Sequence, residues 1–111
     1  MNWDPEILAQ WIIDLMLDME EHKPYTDTFI SDTEWIREFD VSITNSEEYI
    51  WHRDTNDRKI TVLEGEGWKF QFDDELPIII NKGEQLIIPK MIYHRLILGK
   101  TNLKIRIEEV K

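Results

Sequence analysis

Short stretches in which apolar and polar residues alternate, each ended by turn-forming residues, constrain the fold of this chain more than any other feature. In the clearest one, residues 68–72, three aromatic residues alternate with Lys69 and Gln71. It follows residues 64–67, where two glycines supply the positive φ angles that a tight turn needs. Because alternation of period two is typical of a strand with one buried face, this part of the chain predicts a hairpin.

Further segments of this kind recur along the chain, with turn residues between them. They cover residues 39–43, 49–54, 59–63, 78–80, 85–88, 94–98 and 103–108. Short strands at such regular spacing indicate an antiparallel sandwich or barrel, and not alternating strands and helices. We therefore predict an all-β domain of antiparallel strands over residues 26–111. Its start is ambiguous, because Ser31 and Glu34 have the spacing of a capping box and favour a short helical turn.

The segment before this domain has a different period and predicts an amphipathic α-helix within residues 1–25. Asp4 is a favourable N-cap and Pro5 a favourable first helical residue. Apolar residues then recur every three or four positions, at Ile7, Leu8, Trp11, Ile12, Leu15, Met16 and Met19. Such a stripe most simply packs on the outside of the barrel. The alternatives are a dimer interface and a surface that docks another protein.

Composition limits the environment and the partners of the chain. Its 111 residues suffice for one domain, and 13 Lys and Arg against 23 Asp and Glu give a net charge of −10. So acidic a surface repels a phosphate backbone, which argues against nucleic acid as a partner. There is neither a run of about 20 apolar residues nor a signal peptide, so we expect a cytoplasmic protein that does not insert into a membrane. Without cysteine, a metal must be bound by histidines and carboxylates.

Two spaced motifs resemble those of the cupin family. The first family motif is G-x5-H-x-H-x3,4-E-x6-G, and at its positions this chain has Ser46, His52, Asp54, Arg58 and Gly65. The second is G-x5-P-x-G-x2-H-x3-N, and here the chain has Gly83, Pro89, Met91, His94 and Leu98. The resemblance implies a double-stranded β-helix, the cupin or jelly-roll barrel. It also implies a small-molecule ligand inside the barrel and a homodimer.

In that family, the histidines and the glutamate of these motifs bind a divalent metal ion. His52 and His94 match the family's ligands, and Asp54 stands where the second histidine of the first motif is found. Arg58 stands where the glutamate is found, and a guanidinium cannot bind a cation. The resemblance therefore implies a metal site that has lost one of its four ligands.

Two interpretations of the remaining residues stay open. His52, Asp54 and His94 form the two-histidine, one-carboxylate set that suits Fe(II), and this pattern resembles that of the 2-oxoglutarate-dependent oxygenases. Such an enzyme would be a metal-dependent dioxygenase or hydroxylase, and Arg106 would bind the cofactor's carboxylate. Alternatively, Asp54 pairs with Arg58, and the chain is a structural or small-molecule-binding cupin with a vestigial metal site or none. We assign no catalytic residue from the sequence.

Overall fold

The computed structural model describes residues 23–110, and within them the chain is almost entirely β-structure. A helix is predicted within residues 1–25, and residues 1–22 of that segment lie outside the described part. The described elements are β1 (Tyr25–Phe29), β2 (Glu34–Phe39), a 3₁₀ helix (Glu47–Tyr49), β3 (Asp57–Glu64), β4 (Lys69–Phe72), β5 (Ile78–Ile79), β6 (Gln85–Ile88), β7 (His94–Ile97) and β8 (Leu103–Val110). No helix in the described part is long and apolar enough to span a membrane.

The strands form two antiparallel sheets. The larger has the order β1-β2-β8-β3-β6, and the smaller has the order β5-β4-β7. Every neighbouring pair runs antiparallel, which confirms the predicted all-β, antiparallel class. Because β3 pairs with β6 and β8 while β4 pairs with β5 and β7, the chain changes sheets between β3 and β4.

The turn between β3 and β4 forms as predicted, but the hairpin does not. Gly65 and Gly67 have φ angles of 141° and 78°, in the region that favours glycine. The turn leads from one sheet into the other, so the strands on its two sides do not pair with each other. Sequence periodicity predicts a strand and its buried face, but it does not determine which strand becomes the neighbour.

The core lies between the two sheets and follows the predicted alternation. On β8, Leu103, Ile105 and Ile107 are buried, whereas Lys104 and Arg106 alternate with them on the other face. The buried apolar residues are Trp35, Phe39, Ile60, Val62, Trp68, Phe70, Ile80, Ile88, Leu96, Leu103, Ile105 and Ile107. Burial of each large apolar side chain contributes about 1.5–3 kcal/mol.

Three local predictions differ from the structure. The capping-box residues Ser31 and Glu34 do not form a helical turn. Ser31 lies in the turn of the β1–β2 hairpin, where its hydroxyl accepts a hydrogen bond from the backbone N–H of Thr33, and Glu34 begins β2. Residues 41–43 follow β2 as a turn, not as part of a strand. Residues 49–54 contain the end of the 3₁₀ helix and a single bridging residue, His52, because local side-chain caps compete with regular pairing there.

Candidate metal centre

His52 and His94 lie directly opposite each other on adjacent extended segments. The backbone N–H of each donates to the carbonyl of the other, at 3.1 Å from His52 and 2.9 Å from His94. Residues paired in this way project their side chains to the same face. Their rings accordingly meet edge to face, with centroids 4.4 Å apart. The fold thus brings together two histidines that are 42 positions apart in the sequence.

Backbone carbonyls fix the orientation of both imidazole rings. Nδ1 of His52 lies 2.9 Å from the carbonyl oxygen of Ile50, and Nδ1 of His94 lies 2.8 Å from that of Ile92. Because a carbonyl only accepts, we assign the hydrogen to Nδ1 in each ring. In the neutral ring, Nε2 then carries the free lone pair, which is the state that binds a metal ion.

Asp54 completes a compact group of donor atoms with these histidines. One ligand atom from each of His52, Asp54 and His94 lies within 4.8 Å of the other two. Oδ2 of Asp54 is 3.2 Å from Nε2 of His94. This oxygen is buried, yet it accepts no well-directed hydrogen bond from the residues that the structure describes. A buried carboxylate oxygen without such a partner is costly, so a cation bonded to it would lower that cost.

Arg58, which occupies the position of the family's glutamate, interacts mainly with another residue. Its Nε donates a 3.0 Å hydrogen bond to Oε2 of Glu109, whose other oxygen accepts from Asn56 at 2.8 Å. Its Nη1 lies 3.4 Å from Oδ1 of Asp54. The ion pair between Asp54 and Arg58 is therefore present, but it involves Oδ1 and leaves Oδ2 facing the histidines.

Glu48 and Arg37 line the same cavity as His52, Asp54 and His94, and no sequence motif points to either of them. Oε2 of Glu48 is 3.2 Å from Nε2 of His52, and Oε1 is 3.3 Å from Nη1 of Arg37. Arg37 in turn donates two hydrogen bonds to the carboxylate of Asp27, at 2.7 and 2.9 Å. The available signal is the spacing of four between Glu48 and His52, which brings side chains into contact in a helix. The pattern of residues 49–54 predicts a strand, in which residues four apart share a face but lie too far apart to pair.

The charges of the site stabilise one another. Burial opposes the ionisation of Glu48 and Asp54, but the contacts with the histidines and arginines outweigh it and hold the pKa of both carboxyls below their usual values. Burial also disfavours the charged form of His52, but the contact with Glu48 outweighs it and raises the pKa of that imidazole. A cation in this cavity, whether proton or metal ion, is therefore favourably placed.

The structure does not bring Arg106 to this site. It alternates with the buried Ile105 and Ile107 on β8, so it lies on the outer face of the larger sheet. Its side chain is 44% exposed and pairs with Glu34 and Glu108. Arg106 lies twelve residues past His94, but strand alternation places its side chain on the outer face of the sheet.

The cavity around the donor atoms is small, with a volume of about 40 Å³. The polar residues named above form one end, and buried aliphatic and aromatic side chains form the other, among them Phe70, Leu96 and Ile107. A single water needs a cavity of roughly 10–15 Å³, so this cavity has room for an ion with a few waters.

No protein-family model and no curated protein sequence matches the chain, but solved structures do. A cupin 2 conserved barrel domain protein from Leptotrichia buccalis is 26% identical, with a TM-score of 0.57 over 78% of this chain and 40% of that one. A cupin-2 domain protein from Shewanella frigidimarina is 22% identical, with a TM-score of 0.55 over 90% and 92%. FeII HppE is 12% identical, with a TM-score of 0.58 over 78% and 48%.

The chain thus spans less than half the length of two of these proteins and most of the third. The likeness agrees with the motif spacing noted in the sequence, since the positions of His52 and His94 both fall on the paired segments described above. The matches cover 78–90% of this chain. The chain therefore has the fold of the cupin superfamily.

Proposed function

We propose that this chain binds a divalent transition-metal ion through Nε2 of His52, Nε2 of His94 and the carboxylate of Asp54. The observation that carries the proposal is the convergence of these atoms within 4.8 Å around a buried oxygen, Oδ2 of Asp54, that lacks a well-directed hydrogen bond from the described residues. A cation bonded to that oxygen would remove the cost of its burial. This supports a retained metal site in preference to a vestigial one.

The spacing of the donor atoms allows them to bind one and the same ion. Protein nitrogen and carboxylate ligands lie about 2.0–2.2 Å from such metals, so two ligands on one ion lie roughly 3–4 Å apart. The 3.2 Å between Nε2 of His94 and Oδ2 of Asp54 falls in this range. Backbone carbonyls already orient both imidazoles, which lowers the cost of ordering them around an ion.

Fe(II) is the ion that we propose first. Two histidines and one carboxylate form the set typical of non-haem Fe(II) sites, and FeII HppE shares this fold. A bound ion of this kind would act as a Lewis acid and lower the pKa of a coordinated water. The chain's own residues would orient the ligands, through Ile50 and Ile92, and exclude bulk water by the apolar walls of the cavity.

The oxygenase that uses 2-oxoglutarate receives no support from these residues. Arg106, which would bind the cofactor's carboxylate, pairs with Glu34 and Glu108 on the outside of the larger sheet. The cavity volume of about 40 Å³ is also well below the roughly 150 Å³ that admits a molecule of benzene size. We therefore propose metal binding and assign no organic cosubstrate.

Elemental analysis of the protein, purified without a polyhistidine tag, tests the proposal directly. We expect close to one transition-metal ion per chain after anaerobic reconstitution with Fe(II). At a free ion concentration 100 times Kd, binding would stabilise the folded state by about 2.7 kcal/mol. For a domain of this size, Tm should rise by roughly 10 °C or more.

The matched variants are Asp54→Asn and Glu47→Gln, each of which removes one carboxylate charge. Glu47 is exposed and belongs to the 3₁₀ helix. Asp54→Asn should lose the bound ion and the rise in Tm, whereas Glu47→Gln should keep both. Wild-type protein that takes up no stoichiometric metal would refute the proposal and favour a structural or small-molecule-binding cupin.

A further inference from the structure

The cavity contains a second carboxylate that neither the motifs nor the three-residue metal group includes. We propose that Glu48 is the fourth ligand of the ion and takes over the role of the glutamate that Arg58 has replaced. This inference rests on the proposed function, because it concerns the same ion. It predicts a site of two histidines and two carboxylates.

The position of Glu48 relative to His52 matches that of Asp54 relative to His94. In both pairs, a carboxylate oxygen lies 3.2 Å from an Nε2 atom whose ring is oriented by a backbone carbonyl. Two ligands of one ion are expected at about this separation, given bond lengths of about 2.0–2.2 Å. Oε2 of Glu48 therefore lies next to the lone pair of His52, but outside the group of three ligand atoms that lie within 4.8 Å of one another, so the carboxylate must move toward them to bind the ion.

Neighbouring residues hold the Glu48 carboxylate in this position. The Ser46 hydroxyl caps the 3₁₀ helix by accepting from the backbone N–H of Glu48 at 3.1 Å. Nη1 of Arg37 contacts Oε1, which leaves Oε2 directed at His52. Arg37 is itself buried, anchored to Asp27 and stacked on the Tyr25 ring at 3.8 Å. The carboxylate is thus positioned by the fold and not by a flexible surface chain.

The charges around the cavity favour the same conclusion. Glu48 and Asp54 both line this small cavity, where their negative charges repel each other. A divalent cation between them would turn that repulsion into two attractions. Arg58 offsets part of the charge of Asp54 from the other side, through Oδ1, without entering the space between the histidines.

Metal affinity in matched variants tests the role of Glu48. Glu48→Gln keeps the size of the side chain and an acceptor for Arg37, but removes the charge. We expect its Kd for Co(II), measured by competition with a chromophoric chelator, to rise by at least 10-fold. Mutation of a residue that only orients a metal ligand already raises Kd by about 10- to 100-fold. The control Glu47→Gln, from the same helix, should bind as the wild type does.

The visible absorption spectrum of the Co(II) protein separates a ligand from a residue that only positions His52. If Glu48 is a ligand, saturated Glu48→Gln should have shifted d–d bands and a changed intensity, and Glu48→Asp should restore part of the affinity. Weaker binding with an unchanged spectrum at saturation would overturn the inference, and so would a Kd equal to that of the wild type.

The outcome remains distinguishable from a failure of the proposed function. If the wild type binds no ion, both proposals fail together. If wild type and Glu47→Gln bind but the Glu48 variants do so equally well, only the inference about Glu48 fails. Circular dichroism of the metal-free variants verifies folding. If Glu48→Gln does not fold, the affinity and the Co(II) spectrum are measured on Glu48→Asp, which keeps the charge.

Discussion

The cavity contains two histidine–carboxylate pairs that share one local geometry but differ in their surroundings. In the pair of His94 with Asp54, the histidine side chain is 5% exposed and its ring stacks on Phe70, with centroids 5.5 Å apart. In the pair of His52 with Glu48, the histidine side chain is 21% exposed. The first pair joins residues 40 positions apart, whereas the second joins residues within one short segment.

This difference separates the parts of the site that depend on the whole fold from the parts that depend on local structure. Asp54 reaches His94 only because the His52 segment pairs with β7. Glu48 reaches His52 because a capped 3₁₀ helix immediately precedes it. Arg37 from β2 then fixes Glu48, and Arg58 from β3 contacts Asp54, so each pair has its own arginine. The arginines give the sharpest way to compare the two halves.

Replacement of the arginines should have the largest effect on stability, and the effect should be unequal. Arg37 is buried and bonded to both Asp27 and Glu48, so Arg37→Met should lower the free energy of unfolding by about 3–5 kcal/mol, as loss of one partner from a buried ion pair does. Arg58→Met should cost about 1.5–3 kcal/mol, the range for a hydrogen bond to a charged group. Urea denaturation of the metal-free protein measures both.

Equal losses for the two arginine variants would mean that Arg37 and Arg58 contribute equally to stability, so that the surroundings of the two histidine–carboxylate pairs do not differ in energy. Arg37→Lys provides a second test where Arg37→Met is too unstable to purify. Lysine keeps the charge but not the planar fork that bonds Asp27 at two points. It should therefore recover part of the stability, and no recovery would indicate that packing on Tyr25, and not charge, accounts for the loss.

Replacement of the histidines should have the next largest effect in the absence of metal. His94→Ala removes a buried ring that packs on Phe70, so we expect a loss of about 2–4 kcal/mol, in the range of large-to-small core substitutions. His52→Ala removes a partly exposed ring and should cost about 1 kcal/mol. Both should abolish metal binding. Thermal unfolding in the presence of a chelator measures the loss of stability. If His94→Ala lost less stability than His52→Ala, the His94 pair would not be the more deeply embedded of the two.

The sequence predicted the half of the site that depends on strand alternation. His52 and Asp54 are two positions apart, and their shared face follows from the geometry of extended chain. The partnership with His94 followed from motif spacing, which indicated where the second histidine would lie. The same rule of alternation, applied to β8, would have placed Arg106 outside the barrel, between the buried Ile105 and Ile107.

The sequence did not predict the half that depends on a side-chain cap and a distant arginine. Residues 49–54 have the composition of a strand, but Ser46 accepts a hydrogen bond from Glu48 and starts a 3₁₀ helix instead. Arg37 lies on β2, shortly after Ser31 and Glu34, whose spacing favours a helical turn. Alternation places Arg37 on the buried face of β2 with Trp35 and Phe39, but the pairing of β2 with β8 joins distant parts of the sequence, and no local pattern encodes it.

Dependence on pH should be the smallest effect, and it distinguishes a proton from a metal ion as the cation of the cavity. The pKa of His52 is raised in the folded protein, so its contribution to stability is present below the unfolded value of about 6.5. It is lost as pH rises through the folded value. The pKa values of Glu48 and Asp54 are lowered, so their contributions are present above about pH 4 and are lost as pH falls through the folded values.

Metal-free wild-type protein should therefore lose stability as pH rises from about 6.5, the unfolded value, through the raised pKa of folded His52. Glu48→Gln should lose less over this range, because it lacks the carboxylate that raises the pKa of His52. The stabilisation gained from added metal should change in the opposite direction and grow with pH, since the ion binds only deprotonated Nε2. Urea denaturation from pH 5 to 8.5, with chelator or with Co(II), measures both trends. A metal-free stability that rises between pH 6.5 and 8 would show that the charged pair of His52 and Glu48 does not stabilise the fold.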